Sequence, residues 1–287
     1  MDLANFLIQL LNSVQYGLLL FLLAAGLTLI FGIMGVVNLA HGSFYMLGAY
    51  LAYALTGSIG NLFVAIPIGA VLSLAIGWLL EKILFKHFYH RDHLDQVLLT
   101  FGLIYIFEEL RSMLWGDDVH NVAIPASLDW SIKLTENLSY PAYRLFLLAV
   151  CLLLALGLWL LISRTKIGMK IRAGAFNSDM AQALGVNIVR LHALVFALGV
   201  ALASLAGMLI APISSIYPNM GSQVLIMCFV VVVIGGIGSV RGALTAALLV
   251  GLVDIFGKVL LPQFAGMLVY VLMALVLLYK PEGLFKQ

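Results

Sequence analysis

Asn38, His41 and Ser43 put an amide, an imidazole and a hydroxyl within six positions, in VNLAHGSFYMLGAY, between two long apolar runs. Such groups can donate and accept hydrogen bonds, and an imidazole can also carry a proton or hold a metal. Nucleophilic catalysis at Ser43 would need a base and a third group that orients it. His41 and Ser43 stand two apart with no third partner in view, so a membrane enzyme is a poor reading of the trio. Two readings remain. The polar groups satisfy backbone exposed where a helix breaks, or they line a passage or its gate. Both turn the trio toward protein or water, because a broken helix is tolerated at membrane depth only there. His41-Gly42-Ser43 itself resembles a helix start, with Asn38 and His41 at its mouth.

Other ionisable groups are few. Glu108, Glu109 and Arg111 sit in IYIFEELRSMLW, and Glu108 and Arg111 are spaced to pair across one helical turn. Beside Trp115 they read as an interfacial ion pair or, for Glu108 and Glu109, as a contact with an external protein. Asp254 and Lys258, four apart, can neutralise each other inside a bundle; a proton relay is the alternative. The run IGGIGSVRG (Ile234 to Gly242) lacks the G-x-G-x-x-G spacing and is read as a tight hairpin. Cys151 and Cys228 lie inside apolar runs and imply neither a disulfide nor a metal site. No metal ligands, catalytic residues or cofactor are expected.

The elements that position these groups follow from composition. The 287 residues are 63% hydrophobic and 10% charged, whereas a soluble domain carries about a quarter charged residues. About 20 apolar helical residues cross a bilayer. Apolar segments run near 12–34, 42–56, 62–80, 96–115, 143–162, 191–211, 223–239, 243–260 and 264–279. They are continuous, which excludes an alternating transmembrane barrel. The expected fold is an all-α polytopic membrane protein of about eight or nine transmembrane helices, residues 1–287 forming a single domain. The segment 42–56 is a candidate broken or re-entrant helix.

Basic residues orient the chain. Lys82, Lys86 and Arg91, then Arg164, Lys166, Lys170, Arg172 and Arg190, then Arg241, Lys280 and Lys286 all fall between or after segments that nine crossings place on the cytoplasmic side. The loop 116–142 then lies outside. Asp2 replaces the basic start of a signal peptide, so the N-terminus is expected uncleaved and external. Gly69 and Gly77 share a helix face, as do Gly199, Ala203 and Gly207, which suits close packing in lipid. FLLAAGLTLIFGI faintly echoes VFALGVALASLAGML, so segments one to four and six to nine are candidate inverted repeats.

The loop 163–190 is the most informative. Asn177 or Ser178 can cap a short helix, Asp179 suits its first turn, and Gly185 can end it. Met180, Ala183 and Leu184 share a face. So short a helix is marginal in water and needs a surface to lean on, either lipid headgroups or a cleft in a partner protein. No G-x-x-x-x-G-K-[ST] occurs, so any nucleotide drive must come from a separate subunit.

Ala181 followed by Gly185 resembles the coupling loop of ABC-transporter permeases. GLTLIFGIMGVVNLAHGSFYMLGAYLA, MAQALGVN, VVVVIGGIGSVRGALTAALLVGLVD and the ending YKPEGLF resemble, in order, the branched-chain amino-acid permease family, in its smaller, H-type subunit. The resemblance implies half of the translocation pathway of an importer in the bacterial inner membrane. It implies a second homologous permease, two ATP-binding subunits and a periplasmic solute-binding protein as partners, and no nucleic acid. Asp179, Met180, Ala181, Ala183, Leu184 and Gly185 would take the push of the ATPase. Asn38, His41 and Ser43 would be candidates for the pathway, and Glu108 and Glu109 for the binding protein. The solute is a branched-chain amino acid or, within the class, urea, a short amide or an aromatic acid. A stand-alone secondary transporter or channel is the alternative, and it would have no need of the capped loop helix.

Overall fold

A computed structural model describes residues 3–89, 91–135 and 138–285. Asp2 and Lys286, used above to orient the chain, lie outside the described residues. Every apolar segment is a helix: α1 Leu3–Met34, α2 His41–Ile59, α3 Leu62–Ile83, α4 His93–Trp115, α5 Ala142–Arg164, α8 Ile188–Ile210, α9 Met220–Gly235, α10 Val240–Leu260 and α11 Ala265–Tyr279. Two short helices, α6 Lys166–Phe176 and α7 Ser178–Ala183, fill the loop after α5, and a hairpin of β1 Ser131–Thr135 and β2 Leu138–Pro141 precedes it. Among the described residues, five helices are long and apolar enough to cross a membrane: α1, α3 with its following turn, α5, α8 and α10. The fold is thus all-α and polytopic.

The bundle core is α1 and α8, both mostly buried. Their packing depends on missing side chains. A methyl on Gly26 would meet the Gly199 carbonyl oxygen at 2.7 Å, and one on Gly199 the Gly26 oxygen at 3.0 Å. Gly42 and Gly221, at the starts of α2 and α9, crowd each other in the same reciprocal way, at 2.2 and 2.4 Å. Gly77 meets Ala197 and Val200, so α3 lies on α8, while Gly17 meets Ala247, so α1 lies on α10. These pairings interchange when α1–α3 is swapped for α8–α10. That reciprocity is what two inverted halves would produce.

The two ends of the bundle differ as the charge pattern requires. Gly174 of α6 packs toward Ile33 near the end of α1 and Leu191 near the start of α8, and Tyr89 stacks edge-on against His192 at 4.8 Å. The turns that carry Lys82 to Arg91 and Arg164 to Arg190 therefore share one end. At the other end, the Tyr140 hydroxyl and Arg144 both donate to Asn12 Oδ1, at 3.1 and 2.8 Å, and His120 pairs with Ile216 backbone to backbone.

The Ile234–Gly242 run is a tight hairpin. Gly236 and Gly238 have φ of +96° and +83°, a region costly for any residue with a Cβ. Over it folds the C-terminal segment, where Leu284 N donates to Ile234 O at 2.8 Å and Phe285 N to Gly235 O at 3.2 Å. Two of the sequence motifs thus form one clasp at the basic end.

Candidate functional site

The polar trio marks a helix break inside the bundle. Gly35, at φ +66°, ends α1. The chain then turns back before α2 begins at His41. The His41 Nε2 lies 2.9 Å from the Leu23 carbonyl oxygen. A carbonyl only accepts, so Nε2 carries the proton. Leu23 is eleven residues before Met34, about 16 Å back along α1. Thus α2 starts deep in the bundle and runs to the end opposite the basic turns, where Gly60 and Ile124 share a pocket wall, as the second part of a broken crossing would and a re-entrant segment would not. Asn38 Oδ1 accepts from Ala40 N at 3.1 Å, and Asn38 O from His41 N at 3.3 Å, closing the turn.

Asn38, His41 and Ser43 are all buried. Two of their polar atoms, Asn38 Nδ2 and His41 Nδ1, have no hydrogen-bond partner. A donor and an acceptor in a dry core cost about 1–3 kcal/mol each. The backbone-satisfying reading accounts for Asn38 Oδ1 and His41 Nε2, and leaves these two atoms over. Through Gly42 and Gly221 the N-termini of α2 and α9 meet there, bringing two partial positive ends together.

At the end opposite the basic turns, Arg111 is buried and takes several acceptors. Its Nε lies 3.3 Å from Glu108 Oε2, and its Nη1 donates to Gly116 O at 2.6 Å and Asp117 Oδ1 at 2.8 Å. Glu108 turns inward to this cluster, whereas Glu109 is exposed. Arg111 also ends an apolar cavity of about 300 Å³ between α2, α3 and α4, whose wall includes Met46, Leu103, Phe107 and Tyr50. The Arg111 guanidinium, then the Ser112 hydroxyl, hold the Asp117 carboxyl below the usual range. A lowered aspartate pKa stabilises at pH above the ordinary value of about 4 and is lost as pH falls through the lowered one. Asp117→Asn should therefore loosen this loop at neutral pH, read as faster amide exchange at His120, while in the unaltered loop the same loosening should set in only as pH falls below ~4.

Asp254 Oδ2 and Lys258 Nζ meet at 2.5 Å on α10. Cys151 and Cys228 are buried thiols.

The loop between α5 and α8 folds as its caps dictate. Asn177 Oδ1 accepts from Met180 N at 2.9 Å at the start of α7. Gly185, at φ +88°, ends it: Gly185 N donates to Gln182 O and Val186 N to Ala181 O, the two bonds of a Schellman motif. Ala181 is buried beneath, and Asp179 and Ala183 face solvent. Met180 is 62% exposed and Leu184 81%, and Phe176 at the end of α6 is 94% exposed. Helix α6 is absent from the reading of the loop as one short helix. Its signal is present: Thr165 caps it through Gly168 N at 3.0 Å, and Ile167 and Ile171 are a turn apart.

The known protein family matched by residues 9–277 is the branched-chain amino acid transport system permease component. The chain belongs to this family. It is 30% identical over 300 residues to the high-affinity branched-chain amino acid transport system permease protein BraD of Pseudomonas aeruginosa, covering 99% of this chain and 96% of that one. The LivH permease protein of the corresponding Escherichia coli system is 30% identical over 294 residues, with 97% and 95% covered. The ribose import permease protein RbsC of Escherichia coli is 24% identical over 243 residues, with 81% and 72% covered. No solved structure matches significantly. This chain is a multi-pass permease component of a transport system.

Proposed function

We propose that residues 1–287 act as one transmembrane unit and form half of the translocation pathway of an ATP-driven importer in the bacterial inner membrane. A second permease subunit completes the pathway. Two ATP-binding subunits grip the basic end, and a periplasmic binding protein delivers solute at the other, where Glu109 is exposed. The observation that carries this reading is α7 with its flanks. Phe176, Met180 and Leu184 are apolar, exposed and held outside the bundle by two caps. A segment of six helical residues cannot stand alone, and its outward apolar side chains suit insertion in a protein cleft better than solvent.

The relatives named for branched-chain amino acids support such a solute here. An apolar side chain would suit the cavity between α2, α3 and α4, with Arg111 and Tyr50 as its few polar groups. The orphaned Asn38 and His41 atoms fit a role in the gate: they are unsatisfied in this closed packing and would find partners when the break opens. An ion-coupled carrier finds less support, since Asp254 is already neutralised by Lys258.

Gly185→Arg tests the reading. It puts a cation and a Cβ at a left-handed position on the docking face, where nothing of the chain lies within 4 Å. The variant should insert and fold normally, while its stimulation of ATP hydrolysis falls at least tenfold, about the loss of one interface hot spot. Unchanged uptake would refute the coupling role.

A further inference from the structure

A cavity of about 530 Å³ opens at the basic end between α1, α5, α6 and α10. Its lining includes Thr28, Trp159, Arg172, Ser239 and Arg241, and no carboxylate. Arg172 and Arg241 are exposed at its rim, and Arg172 spends one donor on the Ile162 carbonyl; a guanidinium has five. Ser239 caps α10 by accepting from Gly242 N at 3.1 Å. The first turn of this 21-residue helix, with its partial positive charge, therefore borders the cavity.

Thr28 supplies the independent sign of a ligand. It is fully buried at the cavity wall, and its hydroxyl bonds neither its own helix nor any neighbour. A helical threonine commonly satisfies its hydroxyl on the carbonyl one turn back. Here that donor is left over at the wall of a cavity whose other polar side chains are Ser163, already bound to the Trp159 carbonyl, Ser239 and two guanidiniums, beside a helix N-terminus. The set fits an anion that accepts several hydrogen bonds, such as a phosphate.

We propose that this cavity seats the phosphate of an anionic lipid headgroup. The walls favour a lipid as the source. Trp159 is exposed beside the cavity, the position of an interfacial aromatic anchor. From it Leu152, Leu153 and Leu156 run along the outer face of α5 as an apolar track for an acyl chain. Basic pockets between helices at the cytoplasmic side hold acidic headgroups by the same chemistry. The site shares no lining residue with the polar trio or with the α2–α4 cavity and stands whatever solute is carried; Phe176 of the α7 flank forms part of its rim.

The test uses the full-length chain in phosphatidylcholine nanodiscs. About a fifth of the lipid is replaced by brominated phosphatidylglycerol or, in a matched sample, by brominated phosphatidylcholine. Quenching of Trp159 is taken as the difference from Trp159→Phe. The glycerol lipid should quench several-fold better at equal content. Each basic side chain near an anionic surface is worth about fivefold in binding, so Arg172→Gln with Arg241→Gln should abolish the several-fold preference and leave the two lipids quenching alike. Both positions are exposed, so folding should survive. Thr28→Val removes the orphan hydroxyl and should weaken the preference without loss of thermal stability. Equal quenching by both lipids, or a preference indifferent to both arginines, overturns the proposal. Loss of the preference in millimolar inorganic phosphate, with chloride at equal ionic strength as control, would assign the site to a soluble phosphate and overturn the lipid.

Discussion

Gly207→Ala is expected to prevent the chain from accumulating as a folded membrane protein. A methyl there would sit 1.9 Å from the Tyr45 carbonyl oxygen and 3.0 Å from Ala49 N, both backbone atoms of α2. The same crossing is closed from the other side. A methyl on Gly48 would lie 2.0 Å from the Ser204 oxygen and 2.6 Å from its Cα. Overpacking costs about 1–3 kcal/mol when side chains can adjust. Here backbone faces backbone, so one helix must move as a whole, and the cost should exceed ~3 kcal/mol.

That move would also disturb the Ser73–Ser204 hydroxyl bond of 2.6 Å, through which α3 holds α8. Lipid gives helices no hydrophobic reason to associate, so close approach is what stabilises the bundle. Gly57→Ala is the control. Nothing lies within 4 Å of that position, and alanine in a helix gains up to about 1 kcal/mol over glycine. Size-exclusion profiles and thermal midpoints of detergent extracts read both variants. An unchanged midpoint for Gly207→Ala would mean that the α2–α8 crossing is looser than its geometry.

The two glycines show where sequence reading succeeds and where it stops. Gly199, Ala203 and Gly207 share a face by spacing alone, so a close helix contact was legible. The partner was not, because a glycine carries no mark of what approaches it. The Gly26–Gly199 and Gly42–Gly221 meetings appear only when the chain is folded. The apolar runs and the caps at Asn177 and Gly185 were legible because each depends on a few neighbours along the chain. The depth of His41 was not: six residues of loop can run along a membrane surface or back into the bundle, and hydropathy is silent between them. Arg111 pairs with Glu108 as its spacing suggested, but its bonds to Gly116 and Asp117 depend on how the chain leaves α4. The anion cavity draws Thr28, Arg172 and Arg241 from three distant segments, and no local pattern joins them.

The second large effect is expected at the helix break, where His41→Leu should leave folding intact and depress uptake about tenfold or more. The ring is fully buried, and one nitrogen is bound to the Leu23 oxygen while the other has no partner. Replacing it removes one hydrogen bond, with a net value of about 1 kcal/mol. It also removes an unsatisfied acceptor that costs about 1–3 kcal/mol. The balance is neutral or stabilising, so a purely structural histidine should be dispensable. Transport responds differently if the break moves. The leftover Nδ1, together with Asn38 Nδ2, favours states in which water or solute reaches them, and leucine favours the closed packing instead. A shift of about 1.4 kcal/mol toward the closed state corresponds to the tenfold loss. His41→Gln keeps a donor of similar reach and should recover part of the uptake. The room is tight, since a methyl on Gly26 would come within 3.0 Å of the His41 ring, so each variant's uptake is scaled to its folded fraction. Lower stability with normal uptake per folded molecule would make His41 a latch on Leu23. Normal stability with failing uptake makes it part of the gate.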